Sequence, residues 1–191
     1  TAFTEEAQPY VTDRAAARDA PTFFETVTAL ALWEFGRRDV DVVVLEVGIG
    51  GRHDATSVVD PIAGAVTSVS LEHTDVLGDT VEEIARDKAH VAPADRPLVC
   101  GADGAARTAI TEEIGEIVTV GESDEDNDVS VTYDGRDGLE GAVTLDGDEW
   151  HIETHLPLLG EHQAHNAGIA ATLVKQVADV SEETLGRGLR N

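Results

Sequence analysis

The hydrophobic and polar positions near the start of the chain switch from a helix-like to a strand-like pattern. Residues 22–25 read Thr-Phe-Phe-Glu, the Thr-x-x-Glu form of a helix-capping box, and apolar residues follow at helical spacing as far as Phe35. This pattern predicts a largely buried helix. Residues 40–47 are almost continuously apolar and β-branched, which is typical of a parallel strand covered on both faces. A glycine-rich turn at residues 48–51 ends the predicted strand.

Strand-like and helix-like patterns then alternate up to residue 120. A second apolar stretch covers residues 62–69, and Thr80 begins a helix that we expect to reach about Ala92. Further strands are expected at residues 97–100 and 117–120, with a helix between them. Alternation of this kind predicts an α/β fold with a mostly parallel sheet flanked by helices.

After residue 122 the apolar positions alternate with a period of two. Three short stretches do so, at residues 129–133, 141–145 and 150–155. Because Asp/Gly-rich turns separate them, they indicate antiparallel hairpins. We therefore predict a small antiparallel sub-sheet over residues 122–157, within one domain that covers residues 1–191, and a last long helix over residues 161–178.

The charge of the chain is strongly negative and is spread along its whole length. A formal net charge of −25 arises from 38 acidic and 13 basic residues. Such a surface repels phosphate backbones and anionic lipids, so we expect neither nucleic acid nor a membrane as a partner. Lysine is nearly absent, with Lys88 and Lys175 the two examples, while carboxylates abound. We take this as an adaptation to high salt.

Two further features concern the compartment and the extent of the chain. Cys100, the single cysteine, ends an apolar stretch and is expected to be a small buried hydrophobic residue, so no disulfide can form within the chain. Apolar runs fall short of the ~20 residues that span a bilayer, which predicts a cytoplasmic protein. A start at Thr1 without any methionine suggests a piece of a longer protein.

Glu46 and His73 are candidate metal ligands. A carboxylate near the end of the apolar stretch 40–47 is costly to bury unless it is paired or bound to a cation. Ligands of open α/β sheets collect at the carboxyl ends of strands, and His73 follows the stretch 62–69 in the same way. An oxygen-rich site of this kind would suit Mg²⁺. The alternatives are that Glu46 faces solvent or pairs with Arg52, and that His73 is an ordinary polar residue.

Lys88 lies on the inward face of the helix that begins at Thr80, beside Ile84 and Ala85. Burial favours a neutral amine, and a neutral amine can take up CO₂ to form a carbamate that binds metal like a carboxylate. The alternative is a lysine at the helix edge that pairs with Asp87 or another acid.

Common nucleotide and hydrolase motifs are absent from the sequence. The glycine-rich turn at residues 48–51 fails the Gly-x-Gly-x-x-Gly fingerprint because its sixth position is His53, and neither lysine has a Walker-loop setting. No Gly-x-Ser-x-Gly sequence occurs, so a serine-nucleophile hydrolase has no support.

Five segments, taken in order, resemble the folylpolyglutamate synthase and dihydrofolate synthase family of Mur-type ligases. They are residues 21–25, 45–56, 67–78, 84–89 and 159–166. The second reads Leu-Glu-Val-Gly-Ile-Gly-Gly-Arg-His-Asp-Ala-Thr, and the last Leu-Gly-Glu-His-Gln-Ala-His-Asn. The resemblance extends over roughly residues 21–178 and is weakest in the antiparallel part. It implies the central domain of these ligases, with a P-loop NTPase-like sheet, here without its first strand and phosphate loop.

The family resemblance implies an ATP-dependent ligase that joins L-glutamate to dihydropteroate or folate through an acyl phosphate, with two Mg²⁺ ions. Carried over residue by residue, the implied roles are Mg²⁺ ligands for Glu46 and His73, a carbamylated Mg²⁺-binding lysine for Lys88, adenine contacts for Asn166 and Gln163, and pterin contacts for Phe24, Asp54 and Ala55. The alternatives for the last two groups are a helix-capping amide, a core phenylalanine and a turn aspartate.

The chain departs from the family at single positions and in extent. Glu72 stands where the family has Asp, and His90 stands where it has Gly. The phosphate loop is expected upstream of Thr1 and the glutamate-binding domain beyond Asn191, so we expect these 191 residues to be inactive alone. The competing hypotheses are another Mur-type amino-acid ligase and a non-catalytic acidic module.

Overall fold

A computed structural model describes residues 2–122 and 126–191 and contains two compact units. The first unit comprises Thr1–Ile49 and His53–Val59, and the second comprises Gly50–Arg52 and Asp60–Asn191. The prediction of one domain over residues 1–191 stays a prediction. Among the helices of the described ranges, none has both the length and the apolar character to cross a membrane.

The first unit contains two α-helices and a short 3₁₀ turn. They are α1 (Ala2–Ala16), α2 (Phe23–Arg38) and the turn Ala55–Val58. Helix α1 was not predicted, because it lacks an apolar face and carries no buried residue. Its contacts with α2 are at the surface: Phe3 packs edge-to-face on Trp33 with ring centroids 5.8 Å apart, and the Trp33 indole N–H donates to Glu6.

Helix α2 begins at the predicted capping box. The Thr22 hydroxyl accepts a hydrogen bond from the Glu25 amide at 3.2 Å, and the Glu25 carboxylate accepts from the Thr22 amide at 2.6 Å. The prediction that the helix is largely buried is wrong. Thr28 is the buried residue of this helix, whereas Phe23 is 85% exposed. The helix is exposed because it has few neighbours to pack against within this unit.

The prediction of a strand at residues 40–47 is also wrong. The segment has no regular secondary structure, and Val42 and Val44 are 73% and 91% exposed. A strand requires a neighbour that satisfies its backbone groups, and no described strand pairs with this one. Glu46 is therefore exposed, so the cost of burying a carboxylate does not apply to it here.

The second unit is built on a six-stranded mixed sheet in the order β1-β2-β3-β4-β5-β6. The strands are β1 (Ala65–Val66), β2 (Leu98–Cys100), β3 (Ile117–Glu122), β4 (Val129–Asp137), β5 (Glu140–Gly147) and β6 (Trp150–Leu156). Strands β1 to β4 pair in parallel and β4 to β6 pair antiparallel. Both the mostly parallel sheet and the antiparallel sub-sheet are confirmed.

Helices cover the two faces of this sheet. They are α3 (Thr74–Leu77), α4 (Val81–Lys88), which continues into a 3₁₀ turn at Ala89–Val91, α5 (Gly104–Ile114), α6 (Glu161–Val177) and α7 (Glu182–Arg190). Strand β2 shows the two faces: Leu98 and Cys100 pack with α4 and α5, whereas Val99 packs with α6 and the antiparallel strands. The predicted burial of Cys100 is confirmed.

Helix α6 lies very close to the sheet at one glycine. A methyl group added to Gly168 would lie 2.5 Å from a Val131 methyl and 3.0 Å from a Val120 methyl. Glycine is required here by close approach and not by an unusual backbone angle. The position of α6 over β3 and β4 is thus set by the absence of a side chain at residue 168.

Candidate active site

His73 lies in the loop that follows β1 and holds an unusual backbone conformation. It is the residue before α3, with φ 51° and ψ 36°, in the left-handed region. Its carbonyl accepts hydrogen bonds from the amides of Val76 and Leu77 at 2.9 and 3.0 Å. A non-glycine residue held in this way costs on the order of 1–3 kcal/mol, and such residues cluster at functional sites. The loop therefore presents an exposed imidazole from a strained position.

Lys88 ends helix α4, which begins at the predicted capping box of Thr80 and Glu83. Ile84 and Ala85 on the same face are fully buried, and the Lys88 side chain is 21% exposed. Its Nζ donates a hydrogen bond to Glu72 Oε1 at 2.9 Å. The alternative in which Lys88 pairs with a neighbouring acid thus describes this structure, and carbamylation stays a prediction.

The Glu72–Lys88 pair brings two of the predicted site residues to one loop. Glu72 directly precedes His73, so the lysine amine is held next to the residue that carries the imidazole. The hydrogen bond and charge of Lys88 lower the pKa of the Glu72 carboxyl below its usual range, and the nearby His73 adds to this effect. Glu72 is therefore ionised at neutral pH.

Glu46, the other predicted metal ligand, belongs to the first unit, whereas His73 and Lys88 belong to the second. Arg52, its suggested partner, bonds instead to Glu113 Oε1 at 3.2 Å. Within the described residues no three His, Cys, Asp or Glu side chains are grouped to hold a metal. This is compatible with Mg²⁺, which retains waters and is commonly held by one or two carboxylates plus substrate phosphates. A carboxylate, an imidazole and a carbamate are each groups that can bind a divalent cation.

Two of the predicted pterin-contacting residues meet around Gly48 in the first unit. A methyl group placed on Gly48 would lie 2.8 Å from Phe24 Cε1 and 3.2 Å from Asp54 Oδ2. Phe24 remains 39% exposed, and Ala55 follows Asp54 at the start of the 3₁₀ turn. An aromatic ring and a carboxylate thus share one small area beside a backbone without a side chain.

Asp54 also organises the backbone around it. One carboxylate oxygen accepts from the amides of Gly48 and Ile49, both at 3.1 Å, and the other accepts from the amide and hydroxyl of Thr56 at 2.9 and 2.7 Å. Burial raises the pKa of the Asp54 carboxyl, but these hydrogen bonds outweigh burial and leave that pKa below its usual value. Asp54 therefore stabilises this turn, as the alternative interpretation proposed, whether or not it also contacts a ligand.

The two predicted adenine contacts lie together in the first turns of α6. Asn166 Nδ2 is 3.5 Å from Gln163 Oε1, to which it donates, and 3.3 Å from His162 Nε2. Both amide side chains are partly buried. They form a small polar group near the amino end of the helix, which can offer donors and acceptors to a heterocycle.

Asp87 has a structural role that was not predicted from the sequence. Its Oδ1 accepts a hydrogen bond from the Gly51 amide at 2.9 Å, tying the glycine turn to the end of α4. A signal was present in the sequence: Asp87 lies in the last turn of the helix, where the helix dipole disfavours acids, so an acid there needs another reason.

The fold and the site define an α/β protein with candidate ligand-binding residues in the loop after a parallel strand and at the start of a covering helix. Comparison with known proteins is consistent with this class. Residues 4–174 match the Mur ligase middle domain, so the chain belongs to the Mur ligase family.

Proteins similar to this chain include relatives and solved structures named as folylpolyglutamate synthases. One relative, from Halobacterium salinarum, is named a "probable bifunctional folylpolyglutamate synthase/dihydropteroate synthase" and is 59% identical over the whole chain, which spans 24% of its length. The folylpolyglutamate synthase of Lacticaseibacillus casei is 36% identical over 84% of the chain and 38% of its own length. A structure of FPGS with AMPPCP and folate superposes with a TM-score of 0.86 at 30% identity, over 99% of this chain and 47% of the other.

Proposed function

We propose that this chain is the nucleotide-handling part of an ATP-dependent ligase that adds L-glutamate to dihydropteroate or folate. The Mur ligase middle-domain match and the folylpolyglutamate synthase names of the relatives support the reaction class. The chain spans about a quarter of the length of the halophilic relatives. The activity is therefore proposed for a longer protein that contains these residues.

The single observation that carries the proposal is the meeting of Lys88 with the His73 loop. The Lys88 amine donates a 2.9 Å hydrogen bond to Glu72, and Glu72 directly precedes His73 in the chain. The family resemblance implies that both His73 and Lys88 are ligands for the ions that accompany ATP. The Lys88 side chain is 21% exposed, so its amine is partly withdrawn from solvent at the end of α4.

Glu46, His73 and a carbamylated Lys88 are the side chains that would hold Mg²⁺. When bound, the ions would neutralise the phosphate oxygens of ATP and orient the γ-phosphoryl group. Carbamylation of Lys88 converts its amine into a carboxylate-like group, with loss of the positive charge that now faces Glu72. His73 is exposed, so its imidazole is open to solvent.

The proposed reaction proceeds in two balanced steps. A carboxylate oxygen of the pterin substrate attacks the γ-phosphorus of ATP, an O–P bond forms, and ADP leaves. The amino group of glutamate then attacks the acyl carbon, phosphate leaves, and the nitrogen loses a proton as the amide forms. Asn166 and Gln163 would contact the adenine, and Phe24, Asp54 and Ala55 would contact the pterin.

A substrate comparison tests this proposal against the other Mur-type ligases. We expect the protein that carries this chain to release phosphate from ATP with dihydropteroate or folate plus glutamate, and not with a nucleotide-sugar peptide precursor. The aromatic Phe24 beside Asp54 favours the pterin branch, because a flat heterocycle stacks on an aromatic ring. Turnover with the nucleotide-sugar precursor alone would contradict the assignment.

A lysine exchange tests whether the site is catalytic at all, against the non-catalytic module. Lys88→Ala should reduce turnover by about two orders of magnitude or more, and added formate or acetate should restore part of it by supplying a carboxylate. Lys175→Ala is the matched control, because it removes the other lysine of the chain, and it should change turnover less than about twofold. Equal rates for both variants would favour the non-catalytic module.

A further inference from the structure

The glycine turn Gly50–Arg52 lies directly on the end of helix α4. A methyl group on Gly51 would be 2.8 Å from the Asp87 carbonyl oxygen and 3.0 Å from the Lys88 carbonyl oxygen. Gly50 has φ +73°, and a side chain there would collide with Asp87 and Leu77. Two successive glycines are thus needed for the turn to rest on the backbone that carries Lys88.

Asp87 fastens this contact. Its Oδ1 accepts a hydrogen bond from the Gly51 amide at 2.9 Å and a longer one from the Arg52 amide at 3.5 Å. One carboxylate oxygen therefore satisfies two successive backbone donors of a turn whose Gly51 is buried.

The side chain of Arg52 adds a second attachment. Its Nε donates to His90 Nε2 at 3.1 Å, and its Nη2 lies 3.2 Å from Glu113 Oε1. Since His90 Nδ1 is 2.9 Å from the Arg86 carbonyl, the imidazole joins the turn to α4 through its other nitrogen. The backbone on both sides of Lys88 is thereby connected to the glycine turn.

We propose that Asp87 is a positioning residue for Lys88: it locks the Gly50–Arg52 turn onto the helix end and so fixes where the lysine amine is presented. Lys88 is anchored at its backbone by this turn and at its Nζ by Glu72. The proposal rests on the proposed ligase function for its catalytic consequence. The anchoring itself is a property of the fold.

The experiment compares Asp87→Ala with Asp87→Asn in the protein that carries this chain. Asparagine keeps an acceptor oxygen at the same place, whereas alanine removes it. Glu82→Ala is the control, because it deletes an acid from the first turn of the same helix. We expect Asp87→Ala to lower kcat about 10- to 100-fold with little change in KM, and Asp87→Asn and Glu82→Ala to stay within about threefold of the parent.

Two further readouts do not depend on activity. The Gly51 amide should exchange with solvent faster in Asp87→Ala than in the parent. The rate at which an amine reagent modifies Lys88, relative to Lys175 in the same molecule, should rise severalfold, since these are the two lysines of the chain. Should Asp87→Ala not fold, Asp87→Ser, whose hydroxyl is too short to reach the turn, serves in its place.

The outcomes separate the two proposals. Unchanged Gly51 exchange and an unchanged Lys88-to-Lys175 labelling ratio would overturn the positioning role, whatever the enzyme does. Altered exchange and labelling with an unchanged kcat would overturn its catalytic part. Absence of ligase activity in the parent protein would overturn the proposed function, while exchange and labelling would still decide the anchoring.

Discussion

Lys88 Nζ donates to Glu72 Oε1 at 2.9 Å, which places the lysine amine against the residue that precedes His73. Carbamylation would replace the positive charge that faces Glu72 with a negative one, so the interaction would change from attraction to repulsion. The pair thus opposes the modification that the proposed function requires, unless a cation enters between the two groups.

Glu72→Gln should therefore increase the carbamylated fraction of Lys88 in the absence of Mg²⁺. Because Glu72 is about half exposed, the interaction is worth at most ~1 kcal/mol, and we expect an increase of about two- to fivefold at fixed bicarbonate. The measurement is the carbamate signal from ¹³C-bicarbonate by NMR, with Lys175 as an internal reference. An identical carbamate signal in the variant would mean that Glu72 does not control the modification.

The left-handed backbone of His73 predicts an unusual order of stability among its variants. The His73→Gly variant should be more stable than His73→Ala, with a free energy of unfolding about 1 kcal/mol higher. Glycine adopts φ 51° without strain, whereas alanine does not. Chemical denaturation of the two variants measures the difference. The same pair at Asp75, inside α3, should show the reverse order. If alanine is favoured at both positions, the strain at residue 73 is not present.

Asp54 predicts an acid-sensitive stability of the first unit. Its pKa is lowered in the folded state, so its contribution is complete above the unfolded value of about 4 and is lost as the pH falls through the folded pKa. At neutral pH Asp54→Ala should cost about 2–3 kcal/mol, since it leaves the amides of Gly48 and Ile49 without their acceptor.

The fluorescence of Trp33 reports on this unit once Trp150, the other tryptophan, is replaced by Phe. The difference in free energy of unfolding between the parent protein and the Asp54→Ala variant should become smaller as the pH falls below 4. Thr56→Val, which removes one hydroxyl donor, is a milder control. A difference that persists unchanged at pH 2 would show that the carboxylate charge is not what stabilises the turn.

The net charge of −25 predicts a fold that needs salt. Raising KCl from ~0.1 M to ~1 M shortens the Debye length from about 10 Å to about 3 Å, which weakens the repulsion among the carboxylates. The midpoint of thermal unfolding should rise over this range. Sucrose is the control, because it stabilises proteins by being excluded from their surface and does not screen charge. A larger rise of the midpoint with KCl than with sucrose would be due to screening. A midpoint that is the same at both KCl concentrations would remove the idea of adaptation to high salt.

The sequence predicted those parts of the fold that depend on neighbours along the chain. The capping boxes at Thr22 and Thr80 form as expected, because each needs residues only three positions apart. The hairpins joining β4, β5 and β6 were predicted for the same reason, but β4 continues to Asp137 and β5 to Gly147, so each turn lies later than expected. Alternating apolar positions then set which face of each strand is buried.

Features that depend on distant partners could not be predicted in this way. The apolar run 40–47 has strand chemistry, but the described residues give it no strand to pair with. In the site, Lys88 contacts Glu72, 16 residues away, and Asp87 contacts Gly51, 36 residues away. Neither contact could be predicted from local sequence spacing. The pairing of Asn166 with Gln163, one helical turn apart, was within reach of pattern analysis.

Gly168 limits how the amino end of α6 can change. Since a methyl group at this position would touch Val131 and Val120, any larger residue there would have to be accompanied by a smaller one at residue 131 or 120, or else the helix would shift away from the sheet. Asn166 lies only two residues earlier on the same rigid helix. The placement of Asn166 is thus coupled to the volume of two valines on the sheet, and substitutions at residues 168, 131 and 120 should be inherited together.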